Sequence, residues 1–146
     1  MSIEKISLGN PSADLYDTIA DETANLIAKS GGENKNKPTQ LRKFYDEVVM
    51  WDQRVKTNPD RFDEYLPLIR MINAKVAYAK GRDLVDNNYF NLIKHCLVSV
   101  KNEKTFGNCK KFLEAFMGFY KMRHEEEQQR LKEEKKKKHN QQSRTR

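Results

Sequence analysis

The chain is poor in the residues that punctuate or staple a fold. Its 146 residues include six glycines, four prolines, two cysteines and one tryptophan. Cys96 and Cys109 form no CxxC unit, and only His95 stands beside either of them. A zinc site normally needs four ligands at tighter spacing, so no metal is expected. The two cysteines read as reduced, half-buried thiols. No apolar run approaches the roughly 20 residues that span a bilayer. Residues 1–10 lack the charged-then-apolar pattern of a leader. The expected location is cytoplasmic.

Catalytic patterns are missing as well. There is no HExxH, GxSxG, Walker or GxGxxG string. His95 falls just outside an apolar helix stripe, and His124 and His139 lie in a charged stretch. The acid pairs Asp46-Glu47 and Asp63-Glu64 are sequence neighbours. On a helix such neighbours point about 100° apart, so neither pair makes a shared metal site. The expectation is a protein without enzymatic activity or cofactor. One carboxylate breaks the pattern: Asp52 falls within an apolar stripe between Val48 and Val55. A buried carboxylate must be paired or neutral. A cation from another helix or another subunit is its expected partner.

What is present is helical periodicity. Only 37% of residues are hydrophobic, which suffices for one core if they are well patterned. A first helix is expected over 12–29, capped by Ser12 and stopped by Gly31-Gly32. A second, over 39–56 with Thr39 as cap, carries Leu41, Phe44, Tyr45, Val48, Trp51 and Val55 at three- and four-residue spacing. Pro67 restarts or kinks the chain into a third over 67–80, with Gly81 as C-cap. A fourth runs over 87–100. A fifth starts near Lys104 with the aromatic stripe Phe106, Phe112, Phe116, Phe119 and Tyr120, and frays as its apolar face runs out. No strand pattern occurs. The fold expected is all-α: a compact bundle of about five helices forming one domain over 1–131. Residues 1–11 and 31–38 read as flexible, and 132–146 as a disordered, charged tail.

The net charge of +7 is unevenly spread. Residues 1–34 carry two Lys/Arg against six Asp/Glu, whereas 35–82 carry eleven against six and 132–146 seven against two. On the third helix Ile69, Ile72, Val76 and Ala79 share one side at 100° per residue. Met71, Lys75, Tyr78 and Arg82 share the other, flanked by Arg70 and Lys80, with no acid from Ile69 through Arg82. Cations neutralise phosphates and a tyrosine stacks on a base, which is how single-stranded RNA is held. A second basic patch, Lys35, Lys37, Arg42 and Lys43, surrounds the start of the second helix, where free N–H groups also favour phosphate. From spacing alone the same surfaces suit RNA, a protein partner or plain solvation.

Three blocks carry a resemblance: PTQLRKFYDEV (38–48), LPLIRMINAKVAYAKGR (66–82) and FLEAFMGFYK (112–121). In this order and spacing they resemble the small subunit of the type III-A CRISPR interference complex, the Csm complex. The resemblance implies a helical bundle whose copies line up head to tail beside a filament of backbone subunits. Together they hold guide RNA and single-stranded target RNA in a shared groove, while cleavage belongs to the backbone and large subunits. It also implies RNA-facing roles for Lys37, Arg42, Lys43, Arg70, Lys75, Lys80 and Arg82, to which the outward stripe adds Tyr78. Phe112, Phe116 and Phe119 read as core. The alternative is a structural helical adaptor that binds other proteins without touching RNA. The charged extension after Lys121 departs from the resemblance.

Overall fold

The computed structural model describes residues 3–144, which form helices joined by short connections, without a strand among them. Six helices follow in order: α1 (Ala20–Gly31), α2 (Pro38–Thr57), α3 (Phe62–Arg70), α4 (Ile72–Gly81), α5 (Asn87–Val98) and α6 (Glu103–Arg144). The all-α bundle is as expected. Its centre is α6, whose Phe106, Cys109, Phe112, Leu113, Phe116 and Tyr120 recur every three or four residues and are all buried. That stripe faces α1 and α2 at once, joining Ile27 and Ala28 on one side to Leu41 and Val48 on the other.

Local chemistry sets the helix ends. At the start of α1 one wide π-turn, Leu15–Ile19, precedes the α-helix, so the helix proper begins eight residues after Ser12. The Ser12 cap expected from the sequence is not used. Pro38 takes the first position of α2, where a missing N–H costs nothing, and this moves the start ahead of Thr39. Asp86 caps α5 by accepting from the Tyr89 N–H at 2.9 Å. Asn102 caps α6 by accepting from the Thr105 N–H at 2.9 Å, while the Thr105 hydroxyl accepts in return from the Asn102 N–H at 3.0 Å.

The single third helix of the sequence reading is two segments. Pro67 lies inside α3 rather than at a break, and Asp63, whose carbonyl its missing N–H would have met, is an exposed residue. The interruption comes at Met71 instead. Gly81 does not cap α4. Asp83 takes the left-handed conformation (φ 61°), and the N–H groups of Asp83 and Leu84 bond back to the carbonyls of Lys80 and Ala79. This is a Schellman closure with aspartate in the usual glycine place.

Of the two segments read as flexible, the described residues are anchored, while Met1 and Ser2 lie outside the described residues. Ile6 and Leu8 are buried, and Asn108 donates to the Leu8 carbonyl at 2.8 Å. Between α1 and α2, Asn36 is fully buried at φ 58°. It donates from Nδ2 to Ile27 and accepts at Oδ1 from the Asp86 N–H. Its N–H bonds to Leu84, and its carbonyl accepts the Tyr120 hydroxyl. Gly31 leaves the room, since a Cβ there would sit 2.9 Å from the Asn36 side chain.

The tail also differs. The sequence reading makes 132–146 disordered, whereas α6 continues to Arg144. Lys135 pairs with Glu33 at 2.8 Å, and Arg130–Glu134 and Lys138–Glu134 pairs one turn apart line the arm. No glycine or proline interrupts it. The last two residues of the expected tail lie outside the described residues.

Candidate RNA-contacting surface

The helix order sets the α4 stripe beside α2. α2 runs out from the Asn36 anchor, and α3 and α4 return beside it: Tyr65 packs on Trp51, Lys75 pairs with Glu47, and Leu84 bonds to Asn36. On α4, Ile72, Val76 and Ala79 are buried, while Met71, Lys75, Tyr78 and Arg82 are exposed. The expected stripe is therefore outward. Tyr78, at 69% exposure, is the most open of the large apolar side chains described. Arg82 lies over its ring at 5.8 Å.

Glu47 is the α2 residue that meets the α4 stripe, and Lys43 stands one turn before it on α2. Lys37 follows Asn36 and so sits at the end of the seam where Arg82 lies. The seam gathers Lys37, Lys43, Lys75, Tyr78 and Arg82. Glu47 lies in it, four-fifths buried and held by Lys75, and at the end of α4 exposed Asp83 pairs with Lys35 at 3.7 Å.

Arg42 turns to the other side of α2. It pairs with Asp46 at 3.2 Å and stacks on Tyr45 at 5.7 Å. There, with Lys43, Thr39, Tyr120 and Lys121, it lines an open groove of about 440 Å³ between α2 and α6. Lys121 is a cation that sequence reading did not single out. Two expected residues stand apart. Arg70 donates from Nη2 to the Val100 carbonyl at 2.8 Å, tying α3 to the end of α5. Lys80 leans over Phe90 on α5 at 5.2 Å.

The other singled-out residues have structural roles. Asp52 is buried and paired at 2.9 Å with Lys56 of its own helix, which corrects the expectation of a partner from elsewhere: a lysine one turn on reaches back and keeps its ammonium in water. His95 shares a 2.8 Å hydrogen bond with the Ile6 carbonyl. Cys96 and Cys109 are fully buried rather than half-buried, and they meet. The hydrogen bond to Cys109, then burial, holds the Cys96 thiol well above its usual range. Among the described residues no cluster of His, Cys, Asp and Glu could hold a metal, and no helix is long and apolar enough to cross a membrane.

No curated protein and no solved structure matches the chain. The sequence model of the family described as Csm2 Type III-A matches residues 12–126, well over half of it. That span takes in α1 through α5, the seam and the buried apolar stripe of α6. The chain therefore belongs to the Csm2 family, the small subunit of the type III-A CRISPR (Csm) complex.

Proposed function

We propose that this subunit binds RNA without cleaving it, lining the groove that holds guide RNA and single-stranded target RNA, and so supports antiviral defence. The observation that carries the reading is the seam: Lys43, Lys75 and Arg82 beside an open tyrosine, on two helices from separate parts of the sequence. Such a surface grips phosphate and stacks on sugar or base without reading sequence, as a guided complex that must accept any spacer requires. Lys37 at the start of α2 would continue it, Arg42 would meet RNA from the α2–α6 groove, and Arg70 and Lys80 would stand at its margin. One subunit offers few phosphate contacts, so affinity comes from further copies and from the backbone and large subunits. The site of action is the cytoplasm.

The test is the double charge reversal Lys75→Glu/Arg82→Glu in the assembled complex. RNA retention should fall and become less salt-sensitive, while circular dichroism stays that of the wild type. Full retention would overturn the reading. Exposed Leu68 and Met71 beside the stripe favour a second reading, an adaptor surface for another protein. In that case the double variant would lose a subunit and keep its RNA.

A further inference from the structure

The seam does not end at Lys75. Two turns beyond Glu47 on the same side of α2, about 10 Å along the axis, stands Arg54. Its guanidinium lies 4.9 Å from the centre of the Trp51 ring. Trp51 is buried and packs at 5.7 Å against Tyr65 of α3. The exposed guanidinium thus caps an aromatic pair whose rings are fixed by the core. A stacked guanidinium keeps its planar fork of donors while losing the freedom of its stem.

Among the described residues no carboxylate pairs with its charge. Three acids of α2 and α3 are held by other cations: Asp52 by Lys56, Glu64 by Arg61 and Glu47 by Lys75. Arg42, in contrast, spends its charge on Asp46. A pre-positioned arginine without a carboxylate suits an anion with several oxygens.

We infer that Arg54, seated on Trp51, is an RNA phosphate contact that extends the track along the α2–α4 seam to the far end of α2. This rests on the reading proposed above. The track then runs from Lys43 to Arg54, eleven residues or about 16 Å along α2, enough for a few nucleotides. Nothing in the resemblance or the periodicity pointed to Arg54, because its role depends on which ring lies beneath it.

The chain carries its own reporter, since Trp51 is its single tryptophan. The experiment titrates the full-length protein with a mixed-sequence single-stranded RNA oligonucleotide at several salt concentrations. Anisotropy of the labelled RNA gives affinity, and Trp51 emission gives occupancy at Arg54. The wild type should show an emission change that tracks binding. Arg54→Ala should bind several-fold more weakly, with the slope of log K against log salt reduced by about 0.7, one phosphate's worth on a single strand. Arg54→Lys should restore most of that slope. Wild-type affinity and slope in Arg54→Ala, or an emission blind to RNA in the wild type, would overturn the inference. If Lys75→Glu/Arg82→Glu still weakens binding in the same assay, the seam reading survives that failure. If neither variant changes binding, both fall.

Discussion

Lys75 of α4 and Glu47 of α2 form an ion pair across the seam, and Glu47 is the more buried partner. A phosphate that approaches Lys75 must compete with this carboxylate for the same ammonium. The pair therefore ties two helices together and at the same time lowers the affinity of the surface for RNA.

Replacing Glu47 with Gln should raise RNA affinity. The variant frees Lys75 for phosphate, so the salt slope should steepen by about 0.7. Anisotropy titrations of wild type and variant at three salt concentrations measure both quantities. A weakened affinity would show that Glu47 positions Lys75 rather than restrains it.

Asn36→Ala should destabilise the fold by about 2–4 kcal/mol. It strips two side-chain hydrogen bonds from a buried site, leaving the Asp86 N–H and the Ile27 carbonyl unpartnered, and it places an alanine at φ 58°. Asn36→Gly, which suits that backbone, should lose less. Urea unfolding of the three proteins gives the order. Equal losses would mean that the backbone conformation contributes nothing.

Asp21 and Arg123 make a two-pronged pair at 2.7 and 2.8 Å, fixing α1 to α6. The hydrogen bond from Arg123 holds the Asp21 carboxyl below its usual 3.8, against some desolvation. A folded value below the unfolded one favours the folded protein when the carboxylate is charged. The contribution is thus complete above about pH 5 and is lost as pH falls through the lowered value. Asp21→Asn should cost about 1 kcal/mol at pH 7. Its deficit in thermal stability should close on acidification below pH 4. A deficit that is constant from pH 7 to pH 3 would contradict this assignment.

Much of the architecture was legible because apolar residues at helical spacing report their own burial. Phe112 and Phe116 are core as read, and Ile69, Ile72, Val76 and Ala79 face inward as read. Breaks and caps were less legible. Pro67 and Gly81 carry strong local signals, yet α3 runs through Pro67 and α4 closes on Asp83. The seam was half legible. The α4 stripe follows from periodicity, but its opposition to Glu47 depends on how α2 and α4 pack. Arg70 and Lys80 illustrate the limit: both are basic and both flank the stripe, but each is drawn to α5, by the Val100 carbonyl and the Phe90 ring.

The last helix has a mechanical consequence. α6 is 42 residues long, about 63 Å at the standard rise, and no proline interrupts it. Its first half is the axle of the core and its last turns stand clear of the body, with Lys135 braced on Glu33. No glycine or proline stands between Tyr120 and Arg144, so the arm continues the core helix without a built-in kink. A push on the arm near Arg144 is a torque on Phe106, and whatever holds the arm also sets the bearing of the whole subunit.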